Sequence, residues 1–249
     1  MADSIDRYSA LALQTRCETV NKVDKAGARE AMLATIERID EQIRGSFVLI
    51  GPSLKLVVLP EYFMTGYPVG ETIDSWADKA GIAPGGPEYE ALSGVAQKHG
   101  IYLAGNAYET DDHFPGLYFQ ACFIIAPSGD VILRYRRLIS MFAPTPHDVW
   151  DKYLDIYDID GVFPVADTEI GKLACSASEE ILFPEITRAH ALRGAEVILH
   201  STSEIASPDL TPKDIAKRAR AIENLVYVVS ANSGGLYGEG IPANSVDGT

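Results

Sequence analysis

Gly171-Lys-Leu-Ala-Cys-Ser-Ala-Ser178-Glu-Glu-Ile-Leu-Phe-Pro184-Glu185 is an apolar run that ends in small residues, meets an acidic pair and then a proline. An apolar run of this length reads as a buried strand, and the small residues, acids and proline after it read as a sharp turn into a helix. A strand-turn-helix of this kind lifts one side chain toward a cleft, and here that side chain is Ser178.

Outward from this segment, apolar runs and helical stripes alternate. Residues 10–15 read as a first strand. Residues 25–44 read as a long amphipathic helix carrying Ala28, Met32, Ile36, Ile39 and Ile43 on one stripe. Residues 56–60 follow as a strand, 87–99 as a helix closed by Gly100, and 101–107 as a strand. The runs 118–126 and 131–138 are separated by Pro127-Ser-Gly-Asp130, a turn signal, and predict an antiparallel hairpin. Residues 142–162, rich in Pro, aromatics and Asp, read as a loop. Alternation then resumes with strand 172–177, helix 184–193, strand 196–200, helix 212–223 and strand 226–231. Spacing alone gives an α/β chain with a mixed sheet, organised as a single domain over residues 1–249 with no repeat or linker.

Composition narrows the function classes. A formal net charge of -14 argues against a phosphate-binding footprint and against an anionic membrane surface, since both call for clustered Lys and Arg. No window approaches the length of an apolar membrane span, and the N-terminus lacks a basic start and an apolar core. Three scattered cysteines, Cys17, Cys122 and Cys175, in apolar surroundings suggest free thiols and a cytoplasmic location. The five histidines show no paired ligand spacing and no glycine-rich phosphate loop is present, so neither a metal nor any other cofactor is expected.

Gly171, Ser178, Glu180 and Pro184 fall on a frame that resembles the nucleophile elbow of the nitrilase superfamily of carbon-nitrogen hydrolases, with a serine where the family has cysteine. Glu61 lies in Pro60-Glu-Tyr-Phe-Met-Thr-Gly66-Tyr67, after the strand 56–60, and resembles the family's first glutamate. Arg137, in Arg134-Tyr-Arg-Arg-Leu138, stands at the family's lysine, and Thr145 where amidase relatives carry a second glutamate. Residues 183–196 and 218–232 also resemble the helix and strand that follow the elbow and the late helix and strand. The resemblance implies a four-layer α-β-β-α sandwich of two mixed sheets. It implies catalytic positions at Glu61, Arg137 and Ser178, with the Glu179 backbone N–H as an oxyanion donor. Because relatives continue beyond the equivalent of residues 244–249, it also suggests that the C-terminal end is incomplete.

The departures matter chemically. A thiol titrates near pKa ~8.5 and is readily lowered, whereas a serine hydroxyl needs a base aligned on it. A guanidinium keeps the positive charge of the lysine but cannot shed a proton. Tyr62 and Phe63 are candidates for an apolar wall, and Glu109, Tyr118 and Trp150 for pocket lining. Cys175 lies an odd number of residues before Ser178 and is expected to face the core. A Ser-His arrangement of Ser178 with His147 or His200 is a further possibility. Three readings stay open. One is an amidase-like hydrolase of a small amide, carbamoyl or nitrile compound with altered hydrolysis. The second is a non-catalytic binding protein for a small anionic or amide ligand, and the third a structural scaffold. By resemblance, the chain forms a homodimer or higher homo-oligomer through residues 181–193 and 215–222.

Overall fold

The computed structural model describes residues 5–141, 143–204 and 207–238. Its elements run β1 (Ser9–Ala12), β2 (Cys17–Glu18), α1 (Lys25–Ile50), β3 (Leu54–Val58), α2 (Ile73–Ala80), α3 (Pro87–His99), β4 (Tyr102–Thr110), β5 (Tyr118–Ile125) and β6 (Val131–Arg136). After a short 3-10 turn (Pro146–Val149) come α4 (Trp150–Val162), β7 (Ala166–Thr168) and β8 (Gly171–Ala177). A second 3-10 turn (Ser178–Leu182) leads into α5 (Pro184–Leu192), β9 (Val197–Thr202), α6 (Pro212–Asn224), β10 (Tyr227–Asn232) and β11 (Leu236–Tyr237).

One sheet has the order β1-β3-β4-β5-β6 and a second the order β10-β9-β8-β7, while β11 and β2 form a small parallel pair. The β1-β3-β4 and β8-β9-β10 pairings are parallel; β4-β5-β6 and β7-β8 are antiparallel. Both sheets are therefore mixed. Leu56, Val58, Phe119, Ile124 and Tyr135 of the first sheet pack against Leu173, Cys175, Ala177 and Leu199 of the second. Met32, Ile36, Ile39 and Ile43 of α1, with Leu92 and Ala96 of α3, cover the outer face of the first sheet. Ala174 and Ile198 meet the second helical layer beside Ala191. This is the four-layer α-β-β-α sandwich expected from the resemblance.

Most elements fall where periodicity places them, and the departures have local causes. Helix α1 begins after Asp24, whose carboxylate accepts from Gly27 N at 2.8 Å. It runs past residue 44 because Phe47 packs on the core and stacks on His99, with centroids 5.6 Å apart, before Gly51 (φ 81) ends it. Helix α2 is short but capped by Thr72, which accepts from Ser75 N, and it buries Trp76. The stretch read as a loop holds α4. Its helical pattern is interrupted at Asp158 (φ 54), yet Tyr153 and Val162 anchor it to the core. Residues 244–249 and Phe142 lie outside the described residues. Among the described residues, no helix is long and apolar enough to cross a membrane.

Candidate active site

Four chain exits converge at one end of the sandwich. Glu61 follows β3 by three residues, Arg137 directly follows β6, Ser178 directly follows β8, and Ser203 directly follows β9. Ligand sites in α/β folds form outside such strand ends. The exits are stitched across the two sheets: Glu61 N donates to Thr202 O at 3.3 Å and Ser201 Oγ to Leu59 O at 2.8 Å.

The elbow is built by two backbone conformations. Gly171 opens β8 at φ 113, where an added Cβ would come within 3.0 Å of Glu196 Oε2. Ser178 turns the chain at φ 49, a left-handed conformation that costs a non-glycine residue roughly 1–2 kcal/mol. Glu180 holds this turn against the hairpin. Its Oε1 accepts from Tyr135 Oη (2.8 Å), Leu138 N (2.7 Å) and Ile139 N (3.2 Å), and its Oε2 from Ala177 N (3.1 Å). Burial raises the Glu180 pKa, against the opposing pull of Arg137 and these donors. The acid two residues past Ser178 thus fixes where Arg137 leaves β6.

Arg137 is the hub. Its Nη1 donates to Glu61 Oε1 (3.1 Å) and Gln120 Oε1 (2.7 Å), its Nη2 to Glu179 Oε2 (2.6 Å), and its Nε to Ile139 O (2.5 Å). Burial opposes its charge, but Glu61, Tyr62, Glu180 and Glu179 outweigh burial and raise its pKa. Glu61 is fully engaged as an acceptor: Oε1 also receives Gln120 Nε2 at 2.7 Å, and Oε2 receives Ser203 Oγ at 2.8 Å.

Ser178 has a different set of neighbours. Lys213 Nζ, from the first turn of α6, donates to Ser178 Oγ at 3.3 Å and pairs with Glu179 Oε1 at 2.9 Å. Thr211 places this lysine, since its Oγ1 accepts from Asp214 N at 3.1 Å and starts the helix at Pro212. Although burial works the other way, hydrogen bonds from Lys213 and Ser178, and the charges of Lys213 and Arg137, bring the Glu179 pKa down to about 2.

Glu61, Tyr62, Tyr67, Arg137, Ser140, Met141, Ser178, Glu179 and Ser203 line a cavity of about 140 Å³. At ~30 Å³ per water, it has room for four or five non-hydrogen atoms. Larger clefts, of about 650, 490, 430 and 310 Å³, lie outside it, and none of Glu61, Arg137 and Ser178 lines any of these.

Of the residues singled out from sequence, Glu61, Tyr62, Arg137, Ser178 and Glu179 are brought together here. Thr145 is not: its Oγ1 donates to Asp148 Oδ2 at 3.1 Å, and it lines a neighbouring cleft. Glu109 is not either, being buried against Arg134, Arg136 and Tyr89. Phe63 packs in the core instead of walling the cavity, Tyr118 stacks edge-on against Tyr108 within it, and Trp150 stacks on His147. Cys175 lies in the core between the sheets. His200 meets the backbone of the elbow and not its hydroxyl. Its Nε2 donates to Ser178 O at 2.9 Å, while Nδ1 takes the Ser230 hydroxyl proton at 2.8 Å. Burial lowers the His200 pKa to about 3, so the ring stays neutral. Gln120, Ser203 and Lys213 went unnoticed in the sequence, because each reaches the site from a segment without a motif.

The match to a family model described as carbon-nitrogen hydrolase covers residues 14–243. A probable nitrilase of Schizosaccharomyces pombe is 29% identical over 73% of this chain and 62% of its own length. A hydrolase of Pseudomonas protegens is 32% identical over 71% of this chain and 58% of its own length. For the omega-amidase NIT2-B of Xenopus laevis, the figures are 25%, 72% and 62%. The chain thus spans 58% to 62% of the length of these relatives. Among solved structures, Saccharomyces cerevisiae Nit3, a member of the nitrilase superfamily, superposes with a TM-score of 0.71 at 20% identity, over 90% of this chain and 74% of that one. An amidase from Nesterenkonia gives 0.61 at 20% identity, over 92% and 77%. These two likenesses speak to the fold.

Proposed function

The chain belongs to the carbon-nitrogen hydrolase family, and from that premise we propose that the Ser178 cavity binds a small amide, carbamoyl or nitrile compound without running sulfur-type hydrolysis on it. One observation carries the reading: among the described residues, the partners of the Ser178 hydroxyl are Lys213 and Glu179, and Glu179, held by Lys213 and Arg137 at a pKa of about 2, is too weak a base to take its proton. Both oxygens of Glu61 are taken up by Gln120, Arg137 and Ser203. Lys213 Nζ donates to the hydroxyl and pairs with the Glu179 carboxylate. A serine needs its proton removed in the step that forms the bond, and an ammonium cannot accept it. The guanidinium of Arg137 cannot exchange protons in place of a lysine.

What remains suits recognition. Arg137 and the backbone N–H of Glu179 offer donors to a carbonyl or nitrile end, and Tyr62 and Tyr67 form the wall. The volume admits a compound of acetamide or propionamide size. The cytoplasmic location and the homo-oligomer expected from resemblance belong to the same proposal, with the exposed side chains of Leu182, Phe183, Ile215 and Ile222 as the contact.

The test is the intact mass of the protein, and ammonia release, after incubation with small amides and nitriles, for the wild type and Ser178→Cys. An adduct on the cysteine variant alone supports the proposal. An adduct on the wild type, or ammonia released by it, would make Ser178 a working nucleophile and overturn it.

A further inference from the structure

Glu179 has an unusual position for a side chain beside a ligand cavity. One of its oxygens meets Lys213 Nζ at 2.9 Å and the other meets Arg137 Nη2 at 2.6 Å, while the Ser178 hydroxyl donates to the same carboxylate. Two cations and a hydroxyl are thus converged on one carboxylate from α6, the hairpin and the elbow. The cations are nearly buried, Arg137 at 5% and Lys213 at 12% side-chain exposure, while the Glu179 side chain is 42% exposed. Glu179 is the member of the group most open to solvent.

We propose that Glu179 is an internal stand-in for a ligand, and that the position it fills is a binding site for a small carboxylate held between Arg137, Lys213 and Ser178. The proposal goes beyond the reading above, on which it rests for the cavity, by adding a small anion to the amide, carbamoyl or nitrile compound proposed there. A carboxylate entering the adjacent cavity takes over the two oxygen positions, and the Glu179 side chain swings to solvent.

Charge accounting selects the ligand. With Glu179 in place, the two positive groups (Arg137, Lys213) are in direct contact with two carboxylates (Glu61, Glu179), and the buried Glu180 carboxylate lies close to Arg137. Moving Glu179 out without a replacement leaves Lys213 and part of Arg137 unpaired away from water, which is strongly unfavourable. A neutral amide cannot make that exchange and must bind beside Glu179. A small anion with two coplanar oxygens can, and the cavity volume of about 140 Å³ limits it to a few carbon atoms. Glu179 therefore acts as a gate on the position between the two cations, one that a small anion opens and that a neutral amide, bound beside it, leaves shut.

The experiment is a titration of the whole protein with sodium acetate and with acetamide, at ionic strength matched with chloride, followed by saturation-transfer NMR. Wild type, Glu179→Gln and Lys213→Met are compared. Removing the competing carboxylate should tighten acetate binding on the order of tenfold in Glu179→Gln, the size of one partly exposed ion pair. Lys213→Met should lose acetate binding while its acetamide affinity holds. Unchanged or weaker acetate binding by Glu179→Gln, or unchanged binding by Lys213→Met, overturns the proposal. If either variant fails to fold, a crystal of the wild type soaked in acetate decides: acetate between Arg137 and Lys213 with Glu179 displaced supports it, and Glu179 still on both cations overturns it. Acetamide binding without acetate binding sinks this inference alone, whereas ammonia release from acetamide by the wild type sinks the function proposed above and leaves the acetate result standing.

Discussion

Arg136 and Arg137 are adjacent residues at the end of one hairpin strand, and they serve opposite faces of the first sheet's edge. Arg136 donates to Glu109 Oε1 (3.2 Å) and Asp111 Oδ2 (2.5 Å), and its guanidinium lies over the rings of Phe119, Tyr153 and Tyr157 at 4.7–5.6 Å. Its partners are as buried as it is, with Glu109 at 0% and Asp111 at 5% side-chain exposure. Burial works against the Asp111 charge, but Tyr157, His113 and Arg136 bring its pKa down to about 2. Arg137 is equally buried, yet one of its two carboxylate partners is open to solvent. The difference separates a charge network that holds the fold from one able to trade a partner. Counting ion pairs would not distinguish them; the exposure of the weakest member does.

Arg136→Met should break this contrast hardest. It leaves the buried Asp111 without its guanidinium and Glu109 with Arg134 alone, and a loss of about 3–5 kcal/mol in urea unfolding is expected, with little change in ligand binding by the fraction that stays folded. Glu180→Gln comes next, at about 1–3 kcal/mol, because an amide nitrogen would have to face a backbone N–H where the carboxylate now accepts four bonds. Arg137→Lys keeps the charge but loses the fork, and should cost about 1–2 kcal/mol in the same assay. A cost as large as that of Arg136→Met would erase the distinction between the two arginines.

Acid sensitivity is a separate effect, read against pH instead of against a substitution. Unfolded His200 takes up a proton near 6.5, but in the folded chain burial delays this to about 3. The unfolded state therefore binds more protons between these values. The stability contribution is complete above pH 6.5 and drains away as pH falls toward 3. Glu179 adds to the loss between its ordinary 4.5 and about 2. Thermal unfolding midpoints across this range should fall with acid, and His200→Gln should flatten the upper part of the curve.

Sequence reading reached the sandwich because strands and helices that bury one face must repeat at periods of two and 3.6, and most of this chain keeps those periods. It lost α4 where Asp158 turns the backbone left-handed inside an otherwise helical run, and α2 because eight residues give too short a stripe. In the site, residues next to strand ends were legible, since Glu61, Arg137 and Ser178 each follow a buried run. Lys213 was not, because its partner lies 35 residues away and its own surroundings look like any helix start. Thr145 was placed in the cavity by its distance along the chain from Arg137, and Glu109 as generic pocket lining, but each is held by another partner, Asp148 in one case and Arg134 with Arg136 in the other.

The burial of all three cysteines bears on how this protein can be handled chemically. Burial pushes the Cys17 thiol up to about 12 and raises that of Cys175, so neither presents a ready thiolate, and Cys122 is buried out of reach of an alkylating reagent. Labelling of the wild type would therefore time the opening of its core. A cysteine introduced at residue 178 would be the one thiol on the wall of the Ser178 cavity, beside the thioether of Met141, and its rate of modification would report on how often a reagent enters that cavity.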